Sequence, residues 1–556
     1  MTNRLTRRQA LLGVTSTLLL PAACSQTPFL RSQAEAVFAH GVASGDPDST
    51  SVVIWTRVSG SKQPVTVDWF VAKDPEMLSV VADGQFATSA ERDYTVKPVV
   101  EGLHPGEQYF YQFVVNDTPS PVGWTKTLPV GHVERLVLAI ATCSNYPFGW
   151  FNAYEVIAND DDVDLVVHLG DYIYEYRVRG GYGGDTGRRI GRNHRPGHET
   201  VSLEDYRTRH AQYKTDPGSL AMHARHPLIA IWDDHESANN PWMEGAENHQ
   251  LNEGEWGERR AASMQAYYEW MPIRDPGPGG TWEQYWRHFK FGDLASVITL
   301  ESRHTGRSEQ ITWGGRLDKF KDAAEVSEFY GTVVGAPERD MLSVEMERFL
   351  GNELFESRQA GRRWRIIGNQ SIMARMKMPK LDNPWFDTLR DRLQGSAKSL
   401  LDDLTKLGGL EAYGDLDAWD GYPAARERLY QLAKNAGVTD LLVVSGDSHS
   451  FWANALYDDE GQSMGVELGS TGITSPRSLQ VIGDEGLSRW EELAMAENEE
   501  IVWAEGHYRG FIRLDVTHDG AHADFIAVTN IESRDYESRI VHSMDIASSD
   551  GTLRYV

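Results

Sequence analysis

Two cysteines in 556 residues leave almost no disulfide chemistry to this chain. Cys24 lies in an N-terminal stretch with the features of an export signal, so the processed chain is expected to carry Cys143 and at most a modified Cys24. No structural disulfide within the chain is expected, and a free thiol is a liability in an oxidising compartment. Positive charge is also scarce. Lys and Arg number 54 against 81 Asp and Glu, a formal net charge of −27. Such a surface does not coat nucleic acid, and no stable nucleic-acid complex is expected. An anionic substrate would need local attraction, from metals or clustered arginines. Long apolar runs are missing too. The stretch "ALLGVTSTLLLPAA" falls short of the roughly 20 apolar residues that span a bilayer. There is no internal repeat and no low-complexity tract.

What is present points to a globular, multidomain protein. The length exceeds what one hydrophobic core supports, and 17 tryptophans argue for dense packing. Arg7 and Arg8 precede the short apolar stretch, and small residues follow it. This arrangement resembles a twin-arginine signal over residues 1–24, which implies passage of an already folded protein through the twin-arginine export machinery. The expected destination is periplasmic or secreted. "PAAC" also resembles a lipoprotein cleavage box with a lipid anchor at Cys24, although Pro21 departs from the usual pattern.

Residues 25–36 read as a linker. Over 37–130, short alternating apolar runs are separated by Gly, Pro and Asp turns, which predicts an antiparallel β-sandwich. Its "LHPGEQYFY" resembles a fibronectin-type-III strand corner, giving an Ig-like or fibronectin-III-like domain. From Arg135 the texture changes. "RLVLAIATCS", "VDLVVHLGDYIYEY", "PLIAIWDDHE", "RWRIIGNQSIM" and "TDLLVVSGDSHSFW" are continuous apolar runs, each ending in polar residues. Helical patterns lie between them. Strands buried on both faces read this way. The pattern predicts an α/β (α+β) domain over 135–530, with its site at the carboxyl ends of the strands. "GFIRLDVTHDGAHADFIAV" reads as a closing antiparallel pair, and 531–556 as a C-terminal tail.

Five strand ends carry chemistry: Cys143; Asp171 with Tyr174; Asp234 with His235; Asn369; and Asp447 with His449. Alone, each has an ordinary reading as a helix cap, a packed ring or a buried thiol. Together they place many polar groups, costly to bury, on one sheet edge.

The order Gly170-Asp171, Asp234-His235-Glu236 and Gly446-Asp447-x-His449 resembles the signature of the dinuclear metallophosphoesterases. "GDYIYE", "WDDHESANN" and "SGDSHSFW", behind an "HGVASGDP" β-domain, resemble the PhoD-like alkaline phosphatases from about Phe38 to Thr517. "AYGDLDAWDGYPAARERL" and "ELGSTGITSP" carry the same likeness. The resemblance implies a four-layer α/β/β/α metallophosphatase domain. It implies Fe3+ held by Cys143, Tyr174 and His449, with Asp171 bridging to a second metal. Phenolate is a good ligand for ferric iron, and a cation lowers a thiol's pKa toward thiolate. The second site would use Asp171, Asp234, Asp447 and the carbonyl of Asn369. Hard oxygen donors suit calcium or magnesium, and Ca2+ is the expectation. The implied reaction is hydrolysis of phosphate esters by a metal-bridging hydroxide. His235 would stabilise the transition state or protonate the leaving group, with Glu236 holding its tautomer. Arg303 in "LESRHTGR" either contacts phosphate or pairs near Glu301. The basic segment Arg177–Lys214 is either a lip that draws in phosphate or a solvated loop. Two alternatives stay open: a phosphodiesterase for phospholipids or teichoic-acid-like polymers, and an inactive metal-bearing binding module.

Overall fold

The computed structural model describes residues 37–277, 279–477, 479, 482–549 and 551–556. The export-signal and lipid-anchor readings at Arg7, Arg8 and Cys24 lie outside the described residues.

The runs that read as buried strands form two facing sheets. In the first, Arg135–Ala141, Leu165–His168 and Leu228–Ala230 pair in parallel, and Arg509–Thr517 runs antiparallel beside Arg135–Ala141. In the second, Ala295–Thr299, Trp364–Gly368, Leu441–Ser445 and Ser463–Gly469 are successive parallel neighbours. Alternation along Arg135–Ala141 explains the layering. Leu136, Leu138 and Ile140 meet Val297, Ile366 and Val444 of the second sheet. Val137, Ala139 and Ala141 face the other way, toward the helices Asn152–Ala158 and Trp256–Trp270. Behind the second sheet, Val344–Gln359, Gly395–Gly409, Pro423–Asn435 and Gly483–Glu497 form the other helical layer. The architecture is the four-layer α/β/β/α arrangement, with strands covered on both faces as their unbroken apolar character requires.

The N-terminal residues form a β-sandwich. Its core holds Val52, Ile54, Val67, Val71, Tyr111 and Phe113. One of its sheets is continuous with the first large sheet, because Gly45 pairs in parallel with Leu228. Trp55 Nε1 donates to the carbonyl of Glu269 at 2.8 Å, and Lys97 Nζ lies 2.7 Å from Asp275. The sandwich is thus built into the larger domain along an edge.

One expectation changes. The segment 531–556, expected as a tail, contributes strands Ser538–Ser549 and Thr552–Tyr555 to the edge of the first sheet. Their alternating exposure carried no long apolar run to announce them. Between Leu165–His168 and Leu228–Ala230 lie two helices, Leu203–Tyr213 and Pro217–Arg225. Asp216 caps the second, accepting from Gly218 N–H at 2.8 Å.

The basic segment Arg177–Lys214 turns three of its cations inward. Arg209 is buried and donates to the carbonyls of Tyr174, Tyr176, Arg195 and Pro196. Lys214 is buried against Trp55 and Tyr172. Arg192 pairs with Asp216 at 2.8 Å while its guanidinium lies 3.6 Å from the centre of the Tyr146 ring. Burial and stacking, not substrate capture, account for these residues. Removing one partner of a buried pair leaves an uncompensated charge, at a cost of about 3–5 kcal/mol. Arg192→Ala is therefore expected to lower unfolding stability by about that amount. Urea denaturation checks it, and a loss under about 0.5 kcal/mol would remove the pair from the structural account.

Candidate metal centre

The parallel strands of both sheets end at one seam, and three of the exits turn sharply. Cys143, Asp171, Asp447 and His449 have φ of 57°, 56°, 62° and 56°. Non-glycine residues rarely adopt this left-handed region, which costs about 1–3 kcal/mol each and concentrates at functional sites. The neighbouring glycines are sterically required. Gly170 has φ 99°, and a Cβ there would sit 2.4 Å from Asp233 N. A Cβ on Gly446 would sit 2.4 Å from Thr142 Oγ1. The exits are laced together: Cys143 N–H donates to Gly170 O at 3.1 Å, and Ser144 N–H to Asp171 O at 2.9 Å. In the second sheet, Asn369 N–H donates to Val444 O at 3.0 Å.

Two clusters of donor atoms result, and Asp171 belongs to both. Donor atoms of Cys143, Asp171 and His449 all lie within 4.8 Å of one another, as do those of Asp171, Asp234 and His235. Tyr174 joins the first cluster. Its hydroxyl donates to Asp171 Oδ2 at 2.7 Å, stands 3.2 Å from His449 Nε2 and accepts from Ser475 Oγ at 2.6 Å. His449 Nδ1 lies 2.8 Å from Pro476 O, which leaves Nε2 facing the cluster. Asp447 enters at the far side, with Oδ1 3.8 Å from Arg303 NH2. Asn369 is wholly buried. Its amide donates to Ser371 O, and its Oδ1 accepts from Trp419 Nε1 at 3.1 Å, so the side-chain carbonyl keeps one lone pair.

The electrostatics are those of anions crowded into a dry place. Burial first, then the charge of Asp171, pushes the Cys143 thiol well up. Burial and then Asp171 do the same to the Tyr174 phenol. Burial raises Asp447 strongly, with Asp233 adding to it. Burial also raises Asp171, with His235 opposing and Asp234 adding. Asp234, unlike Asp171 and Asp447, moves down: burial pushes it up, but His235 and then Arg303 outweigh that push. His235 mirrors it. Burial disfavours its charge, yet Asp234, Asp171 and Glu175 together hold it well above the ordinary imidazole range.

Asp234 Oδ1 and Asp233 Oδ2 are buried with no hydrogen-bond partner. Buried orphan carboxylate oxygens beside a thiol and a phenol are a cost that cations remove. The donor sets differ in kind. Thiol, phenol and imidazole meet Asp171 in one cluster, as suits a transition metal, whereas the other brings the carboxylates of Asp171 and Asp234 together beside the His235 imidazole, and hard carboxylate oxygens suit calcium or magnesium.

Two assignments differ from the sequence expectation. Glu236 does not hold His235. Its carboxylate accepts from the backbone N–H groups of Asp171 at 3.1 Å, Tyr172 at 2.6 Å and Asp233 at 2.9 Å. Glu175 takes the histidine instead, with Oε2 2.8 Å from His235 Nδ1. Glu175 is itself fixed by Asn239 N–H at 2.9 Å and Asn248 Nδ2 at 2.7 Å. Arg303 is wholly buried. Its Nε reaches Asp233 Oδ1 at 2.5 Å and its NH1 reaches Asp417 Oδ2 at 2.6 Å, leaving NH2 without a hydrogen bond. From Arg303, Glu301 accepts the backbone N–H at 2.9 Å and not the guanidinium, and it also accepts from Trp232 Nε1 and the N–H groups of His304 and Thr305. Asp233, Glu175, Asp417 and Ser475 were missed in the sequence. The doubled aspartate of "WDDHE" and the family-like "AYGDLDAWDG" were the available signals.

The comparisons with known proteins agree with this scaffold. A model of the PhoD-like phosphatase family matches residues 138–525, and one of the PhoD-like phosphatase N-terminal domain matches residues 23–129. Alkaline phosphatase D of Bacillus subtilis (strain 168) is 34% identical over 509 residues, covering 88% of this chain and 77% of that protein. A solved structure of PhoD aligns with a TM-score of 0.74 at 29% identity, covering 95% of this chain and 93% of that one. With a family match across the whole strand-end constellation, the chain belongs to the PhoD-like phosphatases and is a phosphoric ester hydrolase.

Proposed function

We propose that this phosphatase is exported and hydrolyses phosphate esters at a mixed iron–calcium centre. The observation that carries the reading is Asp171, whose carboxylate serves both donor clusters. Cys143, Tyr174 and His449 would hold iron with Asp171. Asp234, Asp447 and Asn369 would hold calcium with it. When bound, such a pair supplies Lewis acidity that activates water and neutralises phosphoryl oxygens. The export proposal rests on the Arg7–Arg8 signal alone.

The protein's own groups have defined tasks. Ser475 donates to the Tyr174 oxygen and fixes the ring with that oxygen between Asp171, to which it donates, and His449 Nε2. Pro476 O engages His449 Nδ1 and selects the tautomer that leaves Nε2 free. Tyr174 stacks on His235 at 4.2 Å between ring centres, limiting its rotation. With Nδ1 committed to Glu175, His235 presents Nε2, 3.9 Å from Asp234 Oδ2, toward the cluster. There it carries a proton that can pass to the leaving alkoxide oxygen. Arg303 acts from behind as a positioning residue, tying Asp233 and Asp417 together beside Asp447.

Elemental analysis of protein purified after export, together with hydrolysis of a chromogenic phosphomonoester and phosphodiester, tests the centre. Wild type is expected to hold near-stoichiometric iron and calcium, and Cys143→Ser to lose iron and activity together. Zinc or manganese in wild type with an unimpaired mutant would overturn the iron assignment and return Cys143 to a buried hydrophobe.

A pH profile tests His235. Its proton is favoured by the charges of Asp234, Asp171 and Glu175 acting against burial. Glu175→Gln removes one of those charges, so the proton is lost at lower pH. The alkaline limb of kcat/KM should therefore move to lower pH. His235→Asn is expected to lower kcat/KM by about 10²–10⁴-fold. An alkaline limb unmoved in Glu175→Gln would rule out His235 as the proton donor.

A further inference from the structure

Away from the catalytic seam, three potential ligands converge at the opposite edge of the two sheets. Asp293 precedes strand Ala295–Thr299, whose far end leads to Arg303. His518 follows strand Arg509–Thr517, whose Thr517 pairs with Arg135, at the other end of the strand that leads to Cys143. His132 lies in the connection between the β-sandwich and Arg135.

His132 Nδ1 lies 2.9 Å from Asp293 Oδ2, and His518 Nε2 lies 3.4 Å from Asp293 Oδ1. All three ligand atoms fall within 4.8 Å of one another. Tetrahedral zinc, with bonds of about 2.0–2.1 Å, holds its donors about 3.3 Å apart. The two imidazoles lie nearly parallel, with centres 5.1 Å apart.

A hydrogen-bonded His–Asp pair accounts for His132. It does not account for His518 Nε2, a buried atom that makes no hydrogen bond although it faces the carboxylate. A buried nitrogen turned toward an oxygen yet out of hydrogen-bond geometry is the arrangement that coordination to a shared cation would leave. Backbone contacts hold the three in place beforehand. Asp293 N–H donates to Gly131 O at 2.9 Å, and Val133 N–H donates to Asp293 Oδ1 at 3.0 Å. Arg363 bridges the other two, its N–H on Asp293 O at 3.2 Å and its Nε on His518 O at 2.9 Å. Ligands fixed by the scaffold lose little entropy on binding.

We propose that His132, Asp293 and His518 form a mononuclear site for a divalent transition-metal ion, zinc in the first instance, that joins the two sheets and the N-terminal connection. Two imidazoles and one carboxylate are a donor set that zinc favours over calcium or magnesium. Both rings are partly exposed to solvent, which provides an entry path and room for a water ligand. The cation ties together segments that are distant in sequence, so its binding stabilises the fold.

The test is a Zn2+ titration of protein already carrying its catalytic metals, against a chromogenic chelator, for wild type, His132→Gln and His518→Gln. Wild type should take up one zinc equivalent with iron and calcium contents unchanged. Its Tm should rise by about 2 °C at saturation. Each variant should bind that equivalent about tenfold more weakly or worse, lose the Tm rise, and keep wild-type phosphatase activity without added zinc. No additional equivalent in wild type would overturn the proposal. So would uptake that persists in both variants, or uptake matched by loss of iron or calcium, which would assign the zinc to the catalytic cluster.

Discussion

Everything at the strand-end seam depends on one physical problem: several groups that ionise to anions are gathered within a few ångströms of each other. Two like charges at 4 Å repel by about 4 kcal/mol at the effective dielectric of a protein. Cys143, Asp171, Asp233 and Asp234 are buried, and Asp447 beside them is partly buried. The chain supplies two cations in direct contact, Arg303 and His235, and it applies them unevenly. They act together on Asp234, the carboxylate whose charge they most favour, while Asp171 and Asp447 stay pushed toward neutrality. The remaining deficit is positive charge, and Asp171, common to both donor clusters, is where it is felt from two sides. A metal-dependent reading thus follows from the cost of the anions themselves as well as from family likeness.

The strained exits belong to the same problem. A donor two or three residues past a strand end points away from the seam if the chain leaves in extended conformation. A left-handed residue turns it back. Cys143, Asp171, Asp447 and His449 each accept that conformation, and backbone hydrogen bonds between neighbouring exits hold it there. Gly170 and Gly446 clear the space into which those turns fold.

How much of this the sequence disclosed follows from what kind of signal each feature leaves. Unbroken apolar runs announced the parallel strands, and polar residues at their ends announced the site, because burial on two faces and function at a strand's carboxyl end both mark local composition. Features built from contacts between distant segments left no such mark. Adjacency suggested Glu236 as the partner of His235, yet the turn directs Glu236 back onto three backbone N–H groups. Glu175 arrives from another exit. The arginines of 177–214 read as a basic surface because composition does not distinguish an exposed guanidinium from one capping buried carbonyls, as Arg209 does. The strands after residue 530 alternate in exposure and pair at a sheet edge. Their partner is the strand Ala521–Val528, and nothing in their own composition demands that pairing.

The division of ligands between the sheets explains why a four-layer scaffold suits this chemistry. Cys143, Asp171, Tyr174, Asp234 and His235 come from the first sheet, and Asn369, Asp447, His449 and Arg303 from the second. Each proposed metal position draws on both, so the separation of its donors is set by how Leu138, Ile140 and Val167 pack on Val297, Ile366 and Val444. Interiors packed at crystal-like density resist sliding. The donor distances are therefore as rigid as the core, although every donor stands on a loop. A change in the apolar layer that shifted one sheet along the other would open both positions together, with no ligand altered. The catalytic geometry is in this sense a property of the hydrophobic seam.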